Sequence, residues 1–314
     1  MQNILKPTSL DSDSANPWVL LLVFLIFLIF GAFVFALLAP ITVTQFYGLQ
    51  LGELYKLIDN PESVDNGKSA LMWFQALTSA GMFIITPLIF IQFVLKAKII
   101  SFFQLPEQPL RPVLMAVVIL FCFMVANSVI IEWNQGLQMP ESLSAFEQWA
   151  QAKESQLKEL TEYLTTFSGI GEYLVALIVI ALIPAVGEEL VFRGLIQRLL
   201  GKAFKNHHLA IWLSAIVFGV FHLQFYGVIP RILLGALFGY LYYWSGFLSL
   251  AMVGHFINNG LTLTLLYFSQ IKFIDYDPTS AESSPPLYVV SIFFAAGAVL
   301  LYLFRNLFLE PKDA

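Results

Sequence analysis

The chain has 314 residues, 58% of them apolar and only 12% charged, with a net charge of −5. A soluble globular domain is about a quarter charged, so this composition points to the bilayer as solvent. The charges gather in short segments between long uncharged runs, which leaves no extended basic surface for nucleic acid. The single cysteine, Cys122, lies in an apolar run as a small buried hydrophobe and leaves no disulfide framework or thiolate metal cage.

Uncharged runs long enough to cross about 30 Å of hydrocarbon fall at 18–39, 70–95, 112–131, 172–198, 208–226, 229–245, 248–268 and 287–308. They predict an all-α fold, a polytopic transmembrane helical bundle of about eight spans. The first run is a full span and not a signal peptide, because it is roughly 20 residues long and follows Asp11 and Asp13 instead of a basic cluster. Between the third and fourth runs, a helical stretch near 142–167 carries Leu143, Phe146, Trp149, Leu157, Leu160 and Leu164 at helical spacings. It reads either as an amphipathic helix on the outer leaflet or as a connector packed on the protein itself. The fifth to seventh runs are short and tightly joined, so one of them has re-entrant character as an option. Gly235 and Gly239 form a GxxxG in the sixth, read as close packing inside one bundle.

An N-terminus in the cytoplasm puts Lys6, Lys96, Lys98, Arg111, Arg198, Lys202, Lys205, Arg305 and Lys312 inside, against Lys56, Lys68, Lys153, Lys158 and Lys272 outside. The positive-inside rule therefore predicts a multi-pass protein of the cell membrane with both termini cytoplasmic. Three parts follow: 1–171 with three spans and the outer amphipathic segment, 172–268 with the polar intramembrane residues, and 269–314 with an outer loop and the last span.

Ionisable residues inside spans are costly and by default mark a functional site. The fourth span holds Glu188, Glu189 and Arg193. At about 3 kcal/mol each at a helix centre, these charges oppose insertion by roughly 8–10 kcal/mol, more than the neighbouring aliphatic residues return, so this helix should not face lipid alone. Glu189 and Arg193 are i and i+4 with the acid first, the favoured order for an ion pair. Glu188 lies about 100° further round the helix and is the carboxylate left for proton transfer or metal ligation.

The fifth span holds Phe218-Gly219-Val220-Phe221-His222. Glu188 and His222 are equally far along the chain from Lys205, so an antiparallel hairpin turning there puts them at one depth. A carboxylate and an imidazole at matched height suit a general base or a shared metal. In the seventh span His255 and Asn259 are again i and i+4, and Asn258 at i+3 is an equal alternative on spacing. His207 and His208 sit in the basic turn and read as interfacial. No aspartate falls in any span, no HExxH occurs, and Ser245-Gly246 reads as a turn and not a nucleophile.

Glu188-Glu189…Arg193, Phe218…His222 and His255…Asn259 form EExxxR, FxxxH and HxxxN motifs, in order and each in its own predicted helix. This set resembles the CAAX-protease and bacteriocin-processing membrane endopeptidases, over about 172–268. The resemblance implies a membrane peptidase acting on a peptide or membrane-protein substrate. Glu188 and His222 would activate a water, His255 and Asn259 would hold the oxyanion, and Glu189 and Arg193 would support them. It also leaves open a zinc ion held by Glu188, His222 and His255; no other cofactor is implied. A transporter or channel, and a non-catalytic scaffold or bacteriocin-immunity protein that keeps the site, are the competing classes. The polar residues form one constellation and no track, and the spans show no inverted repeat, which favours the peptidase.

Overall fold

The computed structural model describes residues 15–50, 52–53, 56–57, 61–275 and 284–309. Lys6, Asp11, Asp13, Lys312 and positions 276–283 of the expected outer loop lie outside the described residues. Within them the chain forms helices and no strand: α1 Pro17–Tyr47, α2 Gly67–Val94, α3 Leu110–Gln135, α4 Ser144–Thr165, α5 Ile170–Phe204, α6 His207–Phe221, α7 Val228–Ser245, α8 Leu248–Gln270 and α9 Leu287–Leu309. Apart from α4, these sit at the expected spans, and the protein is a multi-pass membrane protein.

Six of the described helices (α1, α2, α3, α5, α7 with its leading turn, and α9) are long and apolar enough to cross a bilayer. Of the other three, α6 and α8 carry site residues. α6 has 15 residues, and α8 is diluted by His255, Asn258 and Asn259. The expected fifth span, 208–226, is therefore too long: α6 stops at Phe221 and Leu223 takes a left-handed conformation at φ 55°. The first span runs the other way, continuing through Pro40 to Gly48 at φ 67°. A proline is tolerated in a membrane helix where neighbouring groups re-satisfy the backbone, and just beyond it the Thr42 and Thr44 hydroxyls donate to the carbonyls of Ala39 and Ile41.

α5 is the axis of the bundle. Every residue from 189 to 201 is buried, as the insertion cost of its charges requires. α2, α6, α7 and α8 surround it. Two π-helical stretches, Leu177–Leu182 and Leu190–Gln197, interrupt it; such widened turns recur at functional sites. α5 and α6 form an antiparallel hairpin that turns at Lys205 (φ 52°), with the Asn206 side chain capping α6 through the Leu209 N–H at 3.1 Å.

α4 follows the connector reading over its second half. Tyr163 donates to the Pro61 carbonyl at 3.3 Å, Gln270 donates to the Thr165 carbonyl at 2.9 Å, and the Lys68 ammonium bridges the Thr166 carbonyl and Glu172 just beyond the helix. Leu143, Phe146 and Trp149 at the other end of the segment remain exposed.

Candidate active site

The Lys205 hairpin sets the heights. Ser214 of α6 donates to the Phe192 carbonyl of α5 at 2.8 Å, and the Phe192 and Phe218 rings meet edge to face at 5.2 Å. One turn further from Lys205 on each helix come Glu188 and His222, which the pairing therefore puts at one level.

Below that level lies a closed polar core. Glu189 and Arg193 are each 0% exposed, and the Arg193 Nη1 donates to Glu189 Oε1 at 2.7 Å. The Arg193 Nη2 donates to the Gly235 carbonyl of α7 at 2.8 Å. The same Glu189 Oε1 accepts from His255 Nδ1 at 2.8 Å, and His255 is 3% exposed. Two rings wall this core: Phe218 lies 4.5 Å from the guanidinium carbon, and Phe238 stacks on His255 at 5.1 Å and 16°. Glu189 thus holds an arginine and a histidine together in a site with little water, where electrostatic attraction is strong.

Above it lie the less committed groups. Glu188 keeps a buried Oε2 with no hydrogen-bond partner among the described residues, 3.8 Å from His255 Nε2. The His222 Nδ1 is 2.8 Å from the Phe218 carbonyl. A carbonyl only accepts, so Nδ1 carries the hydrogen and Nε2 of the neutral ring keeps its lone pair. Asn258 donates to Asn259 Oδ1 at 3.0 Å, and Asn259 Nδ2 points to the Ile180 carbonyl at 3.4 Å in the first π-helical stretch. The two asparagines are therefore one unit, with Asn258 orienting the Asn259 amide.

Residues 170–261 match the model of the Rce1-like family, described as type II CAAX prenyl endopeptidase Rce1-like. The resemblance read from three motifs is borne out by this match. The Rce1-like segment runs from the start of α5 into α8 and contains every motif residue. A search of curated proteins and a search of solved structures each gave no match.

Zinc held by Glu188, His222 and His255 would need three donors about 2.0–2.2 Å from one point. Among the described residues no three His, Cys, Asp or Glu side chains are grouped to hold a metal ion. His255 gives Nδ1 to Glu189 and His222 gives Nδ1 to its own helix, so in both rings Nε2 is the nitrogen left for a metal or a substrate. The chemistry below uses side chains alone.

Several partners carry no motif signal. Phe238 and the Gly235 carbonyl become visible only once α7 packs on α5, although the GxxxG marked the place. Asn134, 0% exposed at the end of α3, donates to the Phe225 carbonyl at 3.3 Å and accepts from the Ile229 N–H at 3.0 Å, pinning the turn between α6 and α7. Phe83 of α2 packs edge to face on Phe221 and lies where a side chain on Gly187 would fall. The N-terminal spans thus wall the site without a motif. Ser245 is occupied by its turn: its hydroxyl donates to the Leu241 carbonyl and accepts from the Phe247 N–H. His208 pairs with the Tyr240 hydroxyl at 3.0 Å near the Lys205 turn.

Proposed function

We propose that the protein is an intramembrane endopeptidase that hydrolyses a peptide bond in a membrane-associated protein or peptide. Glu188 and His222 together take the proton of a water whose oxygen adds to the scissile carbonyl carbon. The negative oxygen that forms lies toward His255 and Asn259, one helical turn apart on α8. Glu189 holds His255 through Nδ1, so Nε2 faces the reaction space, where an imidazolium would donate to the oxyanion. Collapse of the tetrahedral species breaks the C–N bond, and the proton held by Glu188 and His222 passes to the leaving amine.

The observation that carries this reading is the division of labour between adjacent glutamates. Glu189 is tied through Oε1 to both Arg193 and His255, its Oε2 being buried without a hydrogen-bond partner, while Glu188 makes no hydrogen bond among the described residues and only approaches His255 Nε2, at 3.8 Å. The family match over 170–261 supports a CAAX-type protease in particular. Purified protein assayed for peptide cleavage in detergent, beside proton and ion flux in liposomes, tests it. Cleavage without flux is expected; flux without cleavage would establish a transporter, and neither would leave a scaffold.

A further inference from the structure

Arg231 is a charged residue in the first turn of α7 that no motif uses, and its placement is built. Gly235, one turn along the same face of α7, is where Arg193 reaches the α7 backbone, and a side chain there would sit 3.0 Å from Arg193 Nη2. One turn from that contact, on the α4 side, stand Arg231 on α7 and Glu188 on α5. α6 and α7 approach closely at Gly219, where a side chain would fall 2.6 Å from Ile232 and 3.1 Å from the Val228 carbonyl. That brings the His222 end of α6 beside the first turn of α7. Arg231 accordingly stands in the field of Glu154 first and Glu188 second, and its own charge reaches His222.

The guanidinium is also oriented. It donates to Gln224 Oε1, while Gln224 Nε2 donates to Glu154 of α4 at 3.2 Å. Gly227 lies under it: a Cβ at that position would fall 2.0 Å from Arg231 Nη1. Gly227 has φ −129°, a conformation any residue adopts, so the space for Arg231 explains the glycine better than the backbone does. A guanidinium has five donors, and Gln224 is its hydrogen-bond partner among the described residues.

We propose that Arg231 is a specificity-determining residue that binds a carboxylate of the substrate close to the scissile bond. This rests on the peptidase reading and narrows its substrates to chains with a negative group within a few residues of the cut, either a free C-terminus or an acidic side chain. The planar fork of Arg231, held by Gln224 and Gly227, suits bidentate carboxylate binding, and its place one turn from the Arg193–Gly235 contact, on the same side as Glu188, puts the bound group toward the reacting carbonyl.

The test uses full-length protein in nanodiscs and a library of acyl-anchored octapeptides, random but free of Asp and Glu, in three forms: free C-terminal carboxylate, C-terminal amide, and amide with one aspartate added. Captured and cleaved peptides are both read by mass spectrometry. Wild type should retain at least one carboxylate form about ten- to a hundredfold over the plain amide. Arg231→Gln should abolish this preference, Arg231→Lys should keep part of it, and Gly227→Ala, which displaces the fork without removing the charge, should weaken it. Enrichment of the first form assigns the C-terminus, and enrichment of the third assigns a side chain. Equal retention of all three forms by wild type, or a preference unchanged in Arg231→Gln, overturns the proposal. Selective retention with no peptide cut would leave the binding role standing and sink the peptidase reading.

Discussion

Adjacent Glu188 and Glu189 face different neighbours because a helix turns 100° between them. Spacing alone separated them, since i and i+4 fixes the partner of Glu189 on its own helix. The bond from His255 Nδ1 to the same Glu189 oxygen was not legible, because it joins residues 66 apart and depends on how α8 packs on α5. Removing one member of a buried charge pair leaves the other uncompensated, at about 3–5 kcal/mol. Arg193→Ala should therefore lower the thermal midpoint in detergent sharply and reduce yield; a variant as stable as wild type would show that Arg193 does not hold the core. Zinc is tested at the same scale. Elemental analysis of active protein should find no stoichiometric metal, and turnover should survive a chelator. Stoichiometric zinc that disappears in His255→Ala would replace the oxyanion role of His255 with ligation.

Among the elements, α7 shows what the GxxxG is for. Gly235 and Gly239 present their carbonyls to Arg193 and Gln197 of α5 at 2.8 and 3.2 Å, so the small residues admit polar side chains from the neighbouring helix. The motif signalled close approach, but it could not say that the visitor was an arginine. Gly235→Val should cost about 1–3 kcal/mol by overpacking, since even a Cβ meets Arg193, Phe218 and the Ala215 backbone at 3.0–3.2 Å. Gly260→Ala should be nearly neutral, because its nearest neighbour would be 3.7 Å away. Equal thermal midpoints for the two variants would mean that the α5–α7 contact is not tight. The early end of α6 was hidden in the sequence for a related reason. Residues 222–226 hold no proline, glycine, aspartate, glutamate, lysine or arginine to mark a helix end, but Asn134 and α4 hold the turn that replaces it. Irregular backbone near membrane depth needs such protein partners.

For the whole molecule, the order and position of the helices were legible because hydrocarbon thickness dictates their length. The burial of α5 was legible because its charges forbid a lipid-facing position. The tertiary walls from α2 and α3 were not, because apolar residues facing protein and apolar residues facing lipid look alike in sequence. Orientation follows from the lysine and arginine asymmetry, and we propose that α4 lies outside the cell and the Lys205 turn inside. In a Cys122→Ala background, an impermeant thiol reagent applied to intact cells should label Glu159→Cys on α4. It should label Lys205→Cys only after permeabilisation; the converse pattern would put both termini outside.

The peptidase reading comes down to Glu188. Wild type and Glu188→Gln, purified in parallel and matched for thermal midpoint, can be given the same membrane peptides, with product formation followed by mass spectrometry. Positioned acid–base groups contribute about 10²–10⁴ in rate, so wild type should generate cleaved products and Glu188→Gln should be slower by that factor while remaining folded. Product formation at the wild-type rate by a folded Glu188→Gln would contradict the assignment of the free carboxylate to catalysis.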